Sequence, residues 1–177
     1  MGEQTIYLAG GCFWGLEKYL AAIPGVRGTR AGYANGRVVD PSYEQVCTGE
    51  TDAVETVEVR WEDSALGLGE LLALFFEVID PTSVNRQGND IGRQYRTGIY
   101  WSDPADEPVV RGALAELAAV YPGRGLVVEA LPLDTFYEAE EYHQHYLDKN
   151  PGGYCHIRAG AIASAPARLE ALRAAAV

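Results

Sequence analysis

Short apolar runs alternate along the chain with stretches whose apolar residues recur at helical spacing. The first run, Thr5 to Ala9, ends at two glycines, which indicates a buried strand. Further strands are predicted at 26–34, 54–61, 96–101 and 126–131, and helices at 12–23, 66–79, 104–120, 138–149 and 165–175. Such alternation favours an α/β or α+β fold around one sheet, and it leaves the order of the strands open.

Size and charge narrow the classes of protein that fit. The chain has 177 residues, 47% of them hydrophobic and 22% charged, which is typical of one globular domain spanning 1–177. The 14 Lys and Arg against 25 Asp and Glu give a net charge of −11. Because phosphate binding requires clustered cations, this charge argues against nucleic acid or an anionic membrane as partner. No run of 18 apolar residues predicts a membrane helix.

Three cysteines occur in a chain whose start, Met1 to Thr5, has no basic region of a signal peptide. This usage predicts a reducing compartment and a cytoplasmic location, where a disulfide is more often catalytic than structural. The three histidines together with Cys155 are candidate ligands of a metal ion. His143 and His145 are two residues apart on a predicted helix and would point to different sides, so no zinc site is expected.

Cys12 is the most informative residue, because it lies where the first strand turns into a helix. Free N–H groups and the helix dipole favour a thiolate at such a position, which would make the sulfur a nucleophile. Phe13 and Trp14 follow directly and can line an apolar pocket beside it. The alternative is a buried cysteine that packs as a small hydrophobic side chain, and the residues alone leave both interpretations open.

The other two cysteines carry weaker signals. Cys47 lies within Tyr43–Gly49, where nothing nearby activates it, so a structural thiol is expected. Cys155 follows the Gly-rich stretch Asn150–Tyr154, whose mobility would suit a resolving cysteine that must reach an oxidised sulfur. A loop cysteine without a partner is the commoner interpretation of such a position.

Two carboxylates are candidates for a site. Glu55 stands among apolar residues of a predicted strand, where burial would raise its pKa and let it hold a proton for donation. A solvated strand face shared with Glu58 is the alternative. Asp90 lies in the polar stretch Asn85–Arg96, which fits either the rim of a site or a plain surface loop.

Four segments, in this order, resemble the signature of the A-type peptide methionine sulfoxide reductases: Gly11–Gly15, Tyr43–Gly49, Asn85–Arg96 and Asn150–Cys155. They extend from the first strand to Cys155 and leave only the tail 157–177 outside. The resemblance implies an α+β fold, a two-layer sandwich with a ferredoxin-like core, a mixed sheet packed by helices, and a long C-terminal coil.

The resemblance also implies a reaction. Cys12 would attack the sulfur of the S epimer of methionine sulfoxide, free or in proteins, while Glu55 protonates its oxygen. Methionine would leave and Cys12 would become a sulfenic acid, which Cys155 would resolve as a disulfide. Thioredoxin or another dithiol would then reduce this disulfide, with no metal, flavin or nicotinamide on the enzyme. A monomer is expected.

The remaining matched residues would bind the substrate. Phe13 and Trp14 would hold the terminal methyl group, Tyr43 and Tyr95 would hydrogen-bond the sulfoxide oxygen, and Asp90 would help to order the site. One position departs from the family, which usually has histidine where this chain has Ala53. No cysteine follows Cys155, so a single resolving step is predicted.

Two other functions are compatible with some of these residues. Cys12 could serve a cysteine hydrolase or acyl transferase if one of the histidines acted as its base, and such an enzyme would not need Cys155. Cys155 and the histidines could instead belong to a metal-binding or protein-binding module without catalysis. The four matched segments favour the reductase.

Overall fold

A six-stranded mixed sheet forms the centre of the computed structural model, which describes residues 2–177. Its order is β7-β6-β1-β3-β2-β8, and all neighbours are antiparallel except β6 and β7, which are parallel. The strands are β1 (Glu3–Ala9), β2 (Val26–Ala34), β3 (Val54–Glu62), β4 (Arg86–Gln87), β5 (Asp90–Ile91), β6 (Gly98–Trp101), β7 (Glu129–Pro132) and β8 (Phe136–Glu138), with β4 and β5 forming a separate hairpin. The helices are α1 (Phe13–Ala21), α2 (Tyr43–Cys47), α3 (Leu68–Phe76), α4 (Glu107–Val120), α5 (Tyr146–Lys149) and α6 (Ala159–Ala175).

The core lies between the sheet and the helices. In the centre of the sheet, Ile6 and Leu8 of β1 pair with Val59 and Val57 of β3, and all four side chains are fully buried. Helix α1 lies across β2 and β3, and the hydroxyl of its Tyr19 donates to a carbonyl of α3 at 2.8 Å. Because apolar side chains of the sheet and the helices meet there, the helices are held on the sheet by burial of hydrophobic surface.

The predicted mixed α+β architecture is confirmed, and most elements lie near their predicted places. Strand β2 has the predicted bounds, and β1 and β3 differ by at most two residues. Helices α1 and α3 are shorter than predicted, and β6 and β7 begin two and three residues later. A 3-10 turn at Pro104–Asp106 precedes α4, and α6 begins at Ala159, six residues before the predicted start.

The helix predicted at 138–149 is wrong. The chain from 139 to 158 is the expected C-terminal coil, with a 3-10 turn at Glu141–His143 and the short α5. The amide of Gln144 donates to the carbonyls of Ala31 and Ala139 at 2.8 and 2.9 Å, and the Ala31 N–H donates back at 2.8 Å. This side chain continues the pairing of β2 beyond β8, and His145 then takes a left-handed φ of 50°, which a helix cannot contain.

Helix α6 fixes the end of the chain against the helical layer. Ala165 and Leu169 are buried, and Arg168 and Arg173 form ion pairs with Glu77 and Glu70 near α3. None of the helices in the described residues is long and apolar enough to cross a membrane.

We predict that Gln144→Ala lowers the free energy of unfolding by about 2–3 kcal/mol, because buried backbone groups of β2 lose their partner. Denaturant unfolding followed by circular dichroism measures this change. Gln4→Ala, at a half-buried position of β1, is the matched control and should change stability by less than about 0.5 kcal/mol. Equal effects of the two substitutions would show that the Gln144 amide does not hold the coil.

Candidate active site

Cys12 stands at the junction of β1 and α1, as the residue before the first helical turn. Gly11 takes a φ of +81°, and a Cβ there would lie 2.7 Å from the Cβ of Gln87. Only glycine adopts this φ without strain and also leaves room for the side chain of Gln87. The resulting tight turn brings Cys12 over the end of the sheet. The Cys12 side chain is 7% exposed, and the backbone N–H of Trp14 donates to its sulfur.

Glu55 of β3 lies under the same helix start. The backbone N–H of Phe13 donates to its Oε1 at 3.2 Å, and the side chain is 1% exposed. Within residues 2–177, Oε2 is buried and has no hydrogen-bond partner. Burial raises the pKa of this carboxyl to about 8, and the negative charge of Asp90 adds to the increase. The carboxyl thus lies in the buried surroundings that the sequence predicted for a proton donor, and not on a solvated strand face.

The thiol of Cys12 does not have the lowered pKa that its helix position predicted. Burial raises the pKa of Cys12, the charge of Glu55 raises it further, and the N–H of Trp14 lowers it less than these two raise it. A helix N-terminus stabilises an anion by about 0.3–2 kcal/mol, whereas loss of water around a thiolate costs more. The resting site therefore holds a neutral thiol beside a carboxyl that is protonated below about pH 8.

The two aromatic residues after Cys12 take different positions. Phe13 is fully buried, with its ring centroid 5.8 Å from that of Tyr33. Trp14 is half-buried and stacks on Tyr146 at 3.8 Å between centroids, while its Nε1–H donates to Nδ1 of His143 at 2.9 Å. The expected apolar wall beside Cys12 is present, and Trp14 forms its accessible part.

Tyr43 of α2 and Tyr95 of the 3-10 turn Arg93–Tyr95 approach the carboxyl from other elements. Burial raises the pKa of both phenols, and the charge of Glu55 is the second cause for each. Both hydroxyls are therefore neutral near pH 7 and can donate hydrogen bonds to an oxygen that lies beside Glu55.

Asp90 connects the hairpin to the C-terminal coil. It lies on β5, and the hydroxyl of Tyr154 donates to its Oδ2 at 3.0 Å. Burial and, as the second cause, the hydrogen bond to Asp90 raise the pKa of Tyr154 to about 12. The phenol is therefore protonated near pH 7 and can donate this hydrogen bond. This contact agrees with the expected place of Asp90 on the rim of the site. It holds Tyr154, the residue before Cys155, against Asp90.

The sulfur of Cys155 lies against the first turn of α1. A Cβ on Gly15 would be 2.9 Å from Sγ, so glycine at this position makes room for the sulfur. The thiol donates to the carbonyl of Ile157 at 3.1 Å, and both Cys12 and Cys155 are free thiols. The fold thus places the two cysteines on the same helix start, although they come from opposite ends of the sequence.

Cys47 differs from its expected structural role. It is exposed at the end of α2, and the Tyr43 hydroxyl donates to its sulfur. Its contact with Tyr43 is through the hydroxyl, so the exposed thiol does not pack in the core. Ala53 occupies the position where the family usually has histidine. It is buried, and a Cβ added to Gly36 would lie 2.7 Å from the Cβ of Ala53.

Sequence reasoning missed His143 and Glu140 as parts of the site. His143 is fully buried, and its ring centroid lies 4.4 Å from that of Tyr43. Glu140 accepts from the Tyr33 hydroxyl at 2.9 Å and from the Tyr43 N–H at 3.0 Å. The polar residues around His143 and Glu140 in the sequence resemble a solvated helix. No local signal distinguishes these two residues from their neighbours. Among the described residues no group of three or more His, Cys, Asp or Glu could hold a metal ion.

Comparison with known proteins gives the family. The family model described as peptide methionine sulfoxide reductase matches residues 4–171. The chain belongs to this family. It is 55% identical to peptide methionine sulfoxide reductase MsrA of Mycoplasma genitalium over 155 residues, 88% of this chain and 98% of that protein. It is 56% identical to the MsrA of Lachnoclostridium phytofermentans over 163 residues, 92% and 98% of the two chains.

Solved structures of the family share the fold. Mxr1 of Saccharomyces cerevisiae in reduced form aligns with a TM-score of 0.81 and 38% identity, covering 88% of this chain and 91% of that one. Methionine sulfoxide reductase A of Corynebacterium diphtheriae aligns with a TM-score of 0.79 and 42% identity, covering 87% and 78%. The mixed sheet with its helices is thus the fold of the family.

We predict that the buried carboxyl makes the protein less stable as the pH rises from about 6.5 to 8. Glu55 keeps its proton in the folded chain and has lost it in the unfolded chain, so unfolding releases a proton. Each pH unit in this window removes about 1.4 kcal/mol, or roughly 2 kcal/mol in total. Buried histidines have lowered pKa values and act in the opposite direction only below about pH 6.5.

Denaturant unfolding at the two pH values measures this fall. Glu55→Gln keeps an acceptor for Phe13 but cannot ionise, so its stability should not change across the window. Glu58→Gln, on the same strand, retains Glu55 and should keep the fall. A Glu55→Gln protein as pH-sensitive as the parent would show that another group causes the effect.

Proposed function

We propose that this chain reduces the S epimer of methionine sulfoxide, free or in proteins, to methionine, with thiols as the electron donor. The observation that carries the proposal is the buried pair of Cys12 and Glu55 at one helix start, beside an aromatic wall. Relatives that are 55 and 56% identical are named peptide methionine sulfoxide reductase MsrA, which is the same chemistry.

Glu55 is the acid of the first step. The oxygen of a sulfoxide is a poor leaving group, and protonation makes the sulfur electrophilic. With a pKa of about 8, the carboxyl holds its proton at neutral pH, and Oε2 has no competing partner among residues 2–177. The hydroxyls of Tyr43 and Tyr95 hold the oxygen by hydrogen bonds, which places it where the carboxyl can reach it.

Cys12 is the nucleophile, and the substrate removes the obstacle to its ionisation. The thiol is neutral at rest because burial and Glu55 disfavour its charge. As the sulfoxide oxygen gains a proton, Cys12 loses its own and its sulfur attacks the substrate sulfur. Overall, a thiol and a sulfoxide become a sulfenic acid and a sulfide, so the oxygen and the proton balance.

Specificity comes from the apolar wall. Trp14, held by His143 and Tyr146, together with Phe13, takes the terminal methyl group of the side chain. Asp90 orders the site through Tyr154. These contacts fix the methyl group and the oxygen on different sides of the sulfur, which is how a site distinguishes two epimers at sulfur.

Cys155 completes the cycle in a single resolving step. Its thiol condenses with the sulfenic acid of Cys12, which gives a disulfide and water. Thioredoxin or another dithiol then reduces the disulfide, and Mxr1 has been solved in complex with Trx2 at 27% identity to this chain and a TM-score of 0.57. The chemistry needs no prosthetic group.

A cysteine hydrolase is less well supported. It needs a histidine base that takes the proton of Cys12, whereas the charged group with the largest effect on the pKa of Cys12 is Glu55. The His156 ring lies over Gly15 beside the sulfur of Cys155, and its Nε2 donates to the carbonyl of Gly10. Nδ1 of His143 accepts from Trp14, and the His145 side chain is exposed beside Asp148.

We infer one functional domain across 1–177; the monomeric state and the cytoplasmic location stay predictions.

A single turnover without external reductant tests the reaction. Fully reduced protein mixed with excess methionine S-sulfoxide should give one methionine per chain and lose two of its three thiols. Peptide mapping should place the lost thiols at Cys12 and Cys155. Absence of methionine would overturn the proposed activity.

Variants of the cysteines separate their roles in the same experiment. Cys12→Ser should form no methionine, and Cys155→Ser should form one methionine and stop at the sulfenic acid. Cys47→Ser is the matched control and should behave as the parent. Methionine with only one thiol lost in the parent would remove Cys155 from the reaction.

We predict that Glu55→Gln slows methionine formation by about 10²–10⁴-fold at neutral pH, because an amide cannot act as the acid. In the parent, the rate should fall above about pH 8, where Glu55 loses its proton. Methionine formed in reactions quenched at successive times across this pH range measures both effects. Glu58→Gln is the control, and its rate should still fall above about pH 8. A Glu55→Gln enzyme with the parent's rate would exclude Glu55 as the acid.

A further inference from the structure

The imidazole of His156 lies against Gly11, which precedes Cys12, and against Gly15 in the first turn of α1. A Cβ on Gly11 would be 3.0 Å from its Nε2, and a Cβ on Gly15 would be 3.3 Å from its Nδ1. The sulfur of Cys155 lies 2.9 Å from the same point over Gly15. The ring and the resolving thiol therefore share one small surface at the start of α1.

The hydrogen bonds of His156 fix its tautomer. Nε2 lies 3.0 Å from the carbonyl oxygen of Gly10, which can only accept, so Nε2 carries the hydrogen. Burial lowers the pKa of His156, which keeps the ring neutral at pH 7. Nδ1 is then a bare acceptor, and it is buried without a partner in the described residues. A buried polar atom without a partner is uncommon in folded proteins and calls for an explanation.

Formation of the disulfide needs such an acceptor. A thiolate, and not a thiol, attacks an oxidised sulfur, so Cys155 must lose its proton in the resolving step. At rest this proton points to the carbonyl of Ile157, a neutral group that cannot take it. The sulfur and Nδ1 both lie over Gly15, so the S–H bond has only to turn away from the Ile157 carbonyl to direct its proton to the side on which Nδ1 lies.

We propose that His156 is the base of the resolving step: its Nε2–H anchors Cys155 beside Cys12 through Gly10, and its Nδ1 accepts the thiol proton. This inference rests on the proposed function. The Cys155 thiolate attacks the sulfur of the Cys12 sulfenic acid, the S–S bond forms and the S–O bond breaks. The departing hydroxide takes the proton from the imidazolium and leaves as water, so His156 returns to its neutral form.

The charges around His156 agree with a neutral base. Asp90 faces it from β5 and raises its pKa less than burial lowers it. A groove of about 330 Å³ also borders the ring, and its lining includes Glu77 after α3 and Arg158 at the start of α6. Glu77 is paired with Arg168, so its charge is already compensated.

The test follows methionine formation and disulfide formation separately, from about pH 6 to 9.5, after mixing reduced enzyme with methionine S-sulfoxide. In the parent, disulfide formation should stop rising with pH above about 7, since the imidazole is already neutral. His156→Gln can still donate to Gly10 but has no titratable base. Its disulfide formation should be about 100-fold slower at pH 7, and this deficit should shrink as the pH rises.

Methionine formation should stay within about twofold of the parent in His156→Gln, which shows that the fold and the first step are intact. His156→Asn repeats the test with a shorter donor, and His145→Gln, an exposed histidine of the same coil, is the control with the parent's profile. If the rate of disulfide formation in His156→Gln is reduced equally at every pH, His156 only anchors Cys155, and the proposal that it acts as a base is overturned. An unchanged rate in His156→Gln would also overturn it. Absence of methionine in the parent would instead overturn the proposed function.

Discussion

The site depends on one carboxyl group that the fold holds out of water. Glu55 enters from the central strand β3 and accepts the N–H of Phe13, which ties the first turn of α1 to the sheet. This bond fixes the direction of the helix start and therefore the places of Cys12 and Trp14. Burial of the same carboxyl raises its pKa to about 8, so a structural contact also supplies a proton donor at neutral pH.

The same burial governs the thiol of Cys12, the proposed nucleophile. A helix N-terminus favours a thiolate, but a site closed enough to keep Glu55 protonated also disfavours charge on Cys12. Acid and thiol therefore rest as a neutral pair, without a net charge buried under the aromatic wall. A sulfoxide oxygen accepts protons and hydrogen bonds, so the substrate itself completes the proton transfers. The low-pKa cysteine expected from the helix position is unnecessary in such a site.

Local patterns predicted most of the elements, and they failed where polar side chains bond to distant parts of the chain. Strand β2 and helix α1 follow from local signals, since the apolar residues of α1 have helical spacing and Asn35-Gly36 ends β2. The coil from 139 to 158 resembled a polar helix, yet Gln144 bonds to Ala31 and Glu140 to Tyr33. Those partners lie on β2, about a hundred positions earlier, and periodicity within a short window cannot reveal them.

The sequence by itself determined most of the strands and helices up to β7, the place of Cys12 after a glycine at a helix start, and the segments shared with the reductase family. Only the tertiary structure decided that Glu55 lies beneath Cys12, that Cys155 and His156 rest over Gly15, and that the pKa of Cys12 is raised. The reason is physical: periodicity and turn chemistry act between near neighbours in the chain. Burial and long-range hydrogen bonds, which set proton affinities, arise only when distant segments pack together.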